Sequence, residues 1–198
     1  MKQLILAVTG GIASGKSFVC QRLAERGFPV FSCDDEARRL MVSDDTLRQR
    51  LQALIGLNAY KDDGSLNKVV VASFIKSGGK DTVDALVHPA VRRAFRQWVT
   101  EQNSNVVIME CALLFESGFE VLADKTIFVS APESVRIERL MQRNGIDEGS
   151  ARSWMALQMP EEEKMCRADF VICNDGKSDL EQQIDKLLGE ITFLRAKE

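Results

Sequence analysis

The fold of this chain is decided by one stretch, Gly10-Gly11-Ile12-Ala13-Ser14-Gly15-Lys16-Ser17, which matches the phosphate-binding pattern G-x-x-x-x-G-K-[ST] at every fixed position. An apolar run at 4–8 precedes it, and a helix-compatible stretch at 18–26 follows it. In this strand–loop–helix order, backbone N–H groups and a helix N-terminus converge on anionic oxygens. A glycine-rich turn with an incidental Lys-Ser pair is the alternative. The complete pattern in this context predicts binding of a nucleoside triphosphate.

The phosphate-binding pattern predicts a role for most residues of the loop. Glycines let the backbone bend and approach the phosphates, Lys16 reaches the β- and γ-phosphates, and the Ser17 hydroxyl ligates Mg²⁺. The predicted cofactors are therefore ATP and Mg²⁺, with Ser17 as the metal ligand. The predicted nucleotide contacts in the loop are the consecutive residues Gly11, Ile12, Ala13, Ser14, Gly15, Lys16, Ser17 and Phe18.

Composition is that of an ordinary globular protein. The 198 residues are 45% hydrophobic and 28% charged, with a formal net charge of −3. That charge provides no general attraction for nucleic acid, so no nucleic-acid partner is expected. The five cysteines form no C-x-x-C pair and there is one histidine, which argues against zinc and for a reducing compartment. Neither a signal-peptide pattern nor a run of membrane-spanning length occurs, which predicts a cytoplasmic protein without a membrane partner.

Five short apolar runs indicate the sheet. They are continuous rather than alternating, which is typical of parallel strands covered on both faces. They lie at 4–8, 29–31, 106–109, 126–129 and 170–173. The predicted fold class is α/β, with a five-stranded parallel doubly wound sheet that binds ligands at the carboxyl ends of its strands. One kinase domain spans 1–198, with a nucleotide-binding core at 1–34, 105–132 and 167–198.

Two segments inserted into this core have sequence patterns typical of helices. The segment 35–104 carries apolar residues at helical spacing over 46–55 and after Pro89, which is predicted at a first helical position. We expect it to be a helical acceptor-binding subdomain. The segment 133–166 is predicted to be a lid. Its arginines Arg136, Arg139 and Arg143 project within about 60° of one another on a helix, either toward a polyphosphate or as a solvated basic face.

Several further motifs resemble the dephospho-coenzyme A kinase family in order and spacing over nearly the whole chain. They are Thr9-Gly10-Gly11-Ile12 with Gly15-Lys16-Ser17, Asp34 with Ala37-Arg38, His88-Pro89, Leu113-Leu114-Phe115-Glu116, Arg139-Leu140-Met141-Gln142-Arg143, Gln158, Ala168-Asp169 and Asn174-Asp175-Gly176. The resemblance implies transfer of the ATP γ-phosphoryl group to the ribose 3′-hydroxyl of dephospho-coenzyme A, which is the last step of coenzyme A synthesis.

The resemblance also implies roles for individual residues. Asp34, Lys16 and Arg143 would be catalytic, and Arg139, Arg143 and Asn174 would contact the nucleotide. The acceptor would be bound by Thr9, Asp34, Arg38, His88, Leu114 and Phe115. Residue chemistry leaves alternatives open at some of these positions. Asp34 is a general base or the N-cap of the next helix, and His88 contacts the acceptor or caps a helix. Asn174 lies near the adenine or only forms a turn.

Three departures from the family pattern stand out. Ser32 occupies the place of a usual aspartate, which leaves Asp34 as the one carboxylate of that pair. Ala13 replaces a frequent glycine, so we expect its φ to be negative. Phe18 replaces a usual threonine and removes a hydroxyl. Glu110, at the end of a predicted strand, either holds a metal-bound water or is a plain strand-end carboxylate.

Other functional classes share parts of this pattern. Another nucleoside monophosphate or small-molecule kinase would carry the same loop, insertion and lid, and would differ in its acceptor pocket. A GTPase would carry an N-K-x-D signature, whereas Asn67-Lys68 continues into Val69-Val70. A non-enzymatic ATP-binding regulator would bind ATP without acceptor-stimulated turnover.

Overall fold

A computed structural model describes residues 3–195 and shows one sheet of five strands. The strands are β1 (Leu4–Thr9), β2 (Val30–Ser32), β3 (Val106–Glu110), β4 (Lys125–Ser130) and β5 (Phe170–Cys173). Their spatial order is β2-β3-β1-β4-β5, and the pairings of β1 with β3, β1 with β4 and β4 with β5 are parallel. All five predicted strands are confirmed, most of them extended by a residue or two.

Both faces of the sheet are buried, which explains the continuous apolar runs. Along β1, Leu6, Ala7 and Val8 have no exposed surface, so successive side chains are covered on opposite faces. One face packs against helices α1 (Lys16–Glu25) and α9 (Leu180–Arg195). That core contains Leu6, Val8, Val19, Leu23, Val106, Ile108, Ile127, Val129, Ile172, Ile184, Leu187 and Ile191.

The chain divides into two compact units. The first contains the described residues up to Val30 and from Ser104 onward, and the second contains Phe31–Asn103. Besides α1 and α9, the first unit holds α6 (Glu133–Asn144), α7 (Glu148–Met155) and α8 (Glu161–Arg167). These three helices occupy the segment predicted as the lid.

The second unit is mainly helical. Its helices are α2 (Cys33–Ser43), α3 (Asp45–Ile55), α4 (Lys68–Phe74) and α5 (Lys80–Glu101), and α4 and α5 are separated by a kink at Ile75–Gly79, where Gly78 has a non-helical φ of 99°. Side chains of Ser32, Asp44 and Asn67 cap the first three helices by accepting backbone N–H bonds. The N-cap of α2 is therefore Ser32, and the capping interpretation of Asp34 is wrong.

Pro89 does not begin a helix, contrary to the sequence prediction. It lies inside α5, which starts nine positions earlier at Lys80. An interior proline costs a helix about 3 kcal/mol, because it lacks an N–H and crowds the preceding turn. Burial of Val83 and Val87 before Pro89, and of Ala90 and Val91 after it, gives α5 an apolar face that continues across the proline. This packing offsets the local cost.

Across residues 3–195, no helix combines the length and the apolar character that a bilayer span requires.

Candidate nucleotide and acceptor site

The phosphate loop connects the end of β1 to the start of α1. Gly15 precedes α1 with φ of 91°, a left-handed conformation that favours glycine. A Cβ atom at this position would also overlap the side-chain amide nitrogen of Asn174. The Gly15 carbonyl accepts the backbone N–H groups of Phe18 and Val19 at 3.0 and 3.1 Å. The loop therefore leads directly into the first turn of α1, and the N-terminus of a helix is suited to binding an anion.

Two predicted nucleotide residues hold this loop from outside. Arg139, on α6, donates from Nη1 to the Ser14 carbonyl at 3.3 Å and from Nη2 to the Asn174 carbonyl at 3.0 Å. The Asn174 side-chain amide donates to the same Ser14 carbonyl at 2.9 Å. The structure thus brings Arg139, Asn174 and the loop together, although they lie far apart in sequence.

Ser17 and Glu110 meet next to the loop. The Ser17 hydroxyl donates to Glu110 Oε1 at 2.6 Å, and Glu110 is the last residue of β3. A hydroxyl beside a carboxylate suits Mg²⁺, which binds through few protein oxygens and keeps several waters and substrate phosphates. Within the described part of the chain, no group of three or more His, Cys, Asp or Glu side chains could enclose a metal by itself. The pair therefore fits Mg²⁺ that arrives with a nucleotide.

Three polar groups around the loop have no protein partner among residues 3–195. The hydroxyls of Thr9 and Ser14 are buried and form no hydrogen bond, and the Lys16 ammonium group forms no ion pair or hydrogen bond. Buried hydroxyls normally find a partner, since leaving one unpaired costs about 1–3 kcal/mol. The lack of protein partners for these three polar groups fits a loop that hydrogen-bonds to the polar atoms of a ligand.

Ala13 departs from the expectation set by its side chain. Its φ is 62°, the one positive φ among the described non-glycine residues. The prediction of a negative φ is wrong, because the loop path requires a left-handed residue here whether or not it is glycine. An L-residue in this conformation carries about 1–2 kcal/mol of strain.

The three arginines of α6 have separate environments. The side chain of Arg136 is only 8% exposed and lies 3.0 Å from the Glu161 carboxylate. Arg139 contacts the loop, and exposed Arg143 donates to the side chain of Asn144 at 2.9 Å. They are neither one solvated basic face nor one row of free phosphate ligands.

Two residues that the sequence analysis left without a role also contact the loop. The backbone N–H of Ile12 donates to Gln158 Oε1 at 2.8 Å. The Glu161 carboxylate lies against Gly11, where an added Cβ atom would overlap its Oε1. Burial raises the pKa of the Glu161 carboxyl, against the opposing effects of Arg136 and the Gly11 N–H. Because Glu161 is far in sequence from both Gly11 and Arg136, no local pattern indicated this contact.

A cavity of about 780 Å³ opens beside Gly11, within the usual size range of small-molecule sites. Its charged lining consists of Glu133, Arg136, Arg152, Glu161 and Glu162.

The predicted acceptor residues of the second unit are mostly accessible. Asp34 is exposed in the first turn of α2, and its carboxylate has no hydrogen-bond partner within residues 3–195. Arg38 is exposed and pairs with Asp35 at 2.5 Å. His88 is half-buried in α5, with Nε2 3.7 Å from Asp84 Oδ1. Burial lowers the pKa of His88, and Asp84 opposes that effect. Because α5 continues through His88, its capping role is wrong.

Leu114 and Phe115 lie in the segment between β3 and β4. Leu114 is completely buried, so any contribution to acceptor binding comes from the placement of its backbone. Phe115 is 7% exposed, and the Arg167 guanidinium lies 4.3 Å from its ring centre.

A parallel sheet whose first strand leads through a glycine-rich loop into a helix starting Lys-Ser defines a phosphate-loop nucleotide-binding fold. Comparison with known proteins narrows this class. The family model for dephospho-CoA kinase matches residues 4–179. The dephospho-CoA kinase of Bacteroides fragilis is 36% identical over 186 residues, covering 92% of this chain and 90% of that protein.

Solved structures agree with this result. The crystal structure of TT1252 from Thermus thermophilus is 33% identical, with a TM-score of 0.84 over 96% of this chain and 98% of that one. Dephospho-CoA kinase from Campylobacter jejuni is 26% identical, with a TM-score of 0.69 and the same coverage. The chain belongs to the dephospho-CoA kinase family.

Proposed function

We propose that this protein transfers the γ-phosphoryl group of ATP to the ribose 3′-hydroxyl of dephospho-coenzyme A. The observation that carries the proposal is the complete phosphate loop with the Ser17–Glu110 pair attached to it. A helix N-terminus, a lysine and a hydroxyl–carboxylate pair are the parts that phosphoryl transfer requires around a triphosphate. Family membership supports the identity of the acceptor.

The loop and its supports bind the nucleotide in this proposal. Lys16 contacts the β- and γ-phosphates, and Arg139 and Asn174 hold the Ser14 carbonyl so that the loop keeps its shape. Ser17 ligates Mg²⁺, with Glu110 fixing the orientation of its hydroxyl or holding a metal-bound water. When bound, Mg²⁺ neutralises negative charge on the transferring phosphates.

Asp34 is the proposed general base. Its carboxylate is exposed and unpartnered among the described residues, so a bound acceptor hydroxyl can donate to it. Because Ser32 caps α2, Asp34 has no competing structural task. Arg38 and His88, in the same unit, are proposed acceptor contacts. Arg143 is proposed to stabilise the transferring phosphoryl group.

One assay tests this function. ADP release is measured with MgATP alone, with dephospho-coenzyme A, and with its analogue that lacks the 3′-hydroxyl. We expect turnover only with the complete acceptor, and a product 80 Da heavier as a phosphomonoester at that hydroxyl. Turnover with a different nucleoside or small alcohol would indicate another kinase of this class. ATP binding without turnover on any acceptor would indicate a regulator.

A further inference from the structure

A lysine ammonium group is completely buried beneath α8. The Lys164 side chain has 0% exposure, whereas lysine is almost never fully buried without a partner. Its Nζ lies 2.6 Å from Glu116 Oε1 and donates to the Ala112 carbonyl at 3.2 Å. The Glu116 side chain is 19% exposed and also accepts the Met159 N–H at 3.1 Å. A buried ion pair of this kind is often no more stabilising than an apolar pair of the same volume. A contribution to stability therefore does not by itself explain why this ion pair is buried here.

Lys164 joins α8 to the segment 112–116. This segment begins two residues after the end of β3 and contains Leu114 and Phe115, which together with Thr9 are the predicted acceptor residues of the first unit. A second contact from α8 reaches the same region, because Arg167 stacks on the Phe115 ring and donates to Glu120 at 2.9 Å. Two side chains of α8 thus contact the segment 112–116.

The other end of the same element holds the phosphate loop. Gln158, just before α8, accepts the Ile12 N–H at 2.8 Å. Glu161, in the first turn of α8, lies against Gly11 and pairs with Arg136. Residues 158–167 are therefore in contact with the nucleotide loop at one end and with the segment 112–116 at the other.

We propose that Lys164 is a positioning residue for the phosphoryl acceptor, and that α8 couples the segment 112–116 to the phosphate loop through Lys164 and Gln158. This inference rests on the proposed function, because it takes 112–116 as part of the acceptor site. Lys164 itself touches no substrate. It acts by holding the Ala112 carbonyl and the Glu116 carboxylate in place.

The first test separates positioning from stability. Lys164→Met leaves Glu116 without its cation, so the melting temperature should fall. Adding Glu116→Gln removes that buried charge while keeping an acceptor for the Met159 N–H, so the melting temperature should largely recover. We expect kcat/KM for dephospho-coenzyme A to stay about 10–10²-fold below wild type in the double variant, as misplacement of a binding segment produces. The KM for ATP should stay within about twofold.

The double variant decides the question even if Lys164→Met alone does not fold. Lys186→Met is the matched control, since that lysine is 80% exposed on α9. Recovery of kcat/KM together with the melting temperature would show that Lys164 is only structural. Absence of turnover in the wild type would instead refute the proposed function, so the two failures are distinct.

The second test addresses coupling. Gln158→Ala is combined with the Lys164→Met/Glu116→Gln pair, and kcat/KM is compared across the cycle. If α8 couples the two contacts, the combined fold-loss of kcat/KM should be at least about threefold smaller than the product of the two separate fold-losses. Gln142→Ala, on an exposed position of α6 bonded to Glu138, supplies the control. A combined loss equal to the product would overturn the coupling.

Discussion

The Ser17 hydroxyl lies 2.6 Å from a Glu110 carboxylate oxygen, which links the first turn of α1 to the end of β3. The two residues come from opposite ends of a long intervening stretch of chain. Their contact fixes the orientation of the hydroxyl, as outer ligands commonly do for the ligands of metal sites.

Glu110→Gln should weaken the use of Mg²⁺. Outer-shell substitutions typically cost about 10–100-fold in metal affinity, and we expect a rise of that size in the Mg²⁺ concentration giving half-maximal rate. The measurement is initial rate against free Mg²⁺ at saturating ATP. Glu25→Gln, at an exposed position of α1, is the control. An unchanged Mg²⁺ dependence would make Glu110 a plain strand-end carboxylate.

Asp34→Asn should lower kcat by about 10²–10⁴-fold, because the amide cannot take the acceptor proton. The melting temperature should hold, since the α2 cap is Ser32. Steady-state kinetics and thermal unfolding measure the two effects. Asp35→Asn removes a neighbouring exposed carboxylate that pairs with Arg38 and should leave kcat nearly intact. Retention of most activity in Asp34→Asn would refute the general base.

Arg139→Ala and Arg143→Ala should have different kinetic signatures. Arg139 holds the loop through charged hydrogen bonds worth about 1.5–3 kcal/mol each, so its loss should raise the KM for ATP by roughly 10–100-fold. Among residues 3–195, the Arg143 side chain hydrogen-bonds only to Asn144, and its proposed role is to contact the transferring phosphoryl group. Its loss should lower kcat by about 10³-fold with a smaller change in KM. Unchanged kinetics in Arg143→Ala would make it a surface arginine.

Ala13→Gly should not destabilise the protein. Glycine removes about 1–2 kcal/mol of left-handed strain at φ of 62° in the folded protein. It also lowers the free energy of unfolding by about 0.4–1 kcal/mol, because it gives the unfolded chain more conformational freedom. Ala24→Gly, on the exposed side of α1, lacks that compensation and should cost about 0.5–1 kcal/mol. Urea unfolding of the two variants measures the contrast. Equal losses would show that Ala13 carries no strain.

His88 should make stability depend on pH. Burial, aided by Lys80 and Arg92, lowers the pKa of His88 below 6.5 against the effect of Asp84. The unfolded chain then binds the proton more readily, so the contribution is present above pH 6.5 and is lost as pH falls through the lower folded value. Because His88 is the one histidine in the sequence, His88→Gln should flatten the urea midpoint between pH 7 and pH 5.5. If the urea midpoint of the variant changed with pH as steeply as that of the wild type, this expectation would be contradicted.

Local patterns predicted the strands and the loop, because each depends on a few adjacent residues. Residues far apart in sequence were assigned to one site only through the family resemblance, as Arg139 and Asn174 were. Gln158 and Ile12 are 146 positions apart, and Lys164 and Ala112 are 52 apart. No spacing rule joins such pairs. Pro89 and Ala13 were predicted wrongly for a related reason, since packing and loop path outweighed the preference of the single residue.

The pairing of β1 also has a consequence for synthesis. On the ribosome β1 emerges before the other four strands, yet Leu4 pairs with Val106 and Leu6 with Lys125. The first strand must therefore wait for partners about one hundred residues further along the chain, and closing so long a loop slows folding. The second unit, a continuous stretch from Phe31 to Asn103, is complete before either partner appears. During that interval the nascent chain exposes an unpaired apolar strand. A chaperone that binds extended apolar segments should therefore recognise residues 4–9 before the later strands.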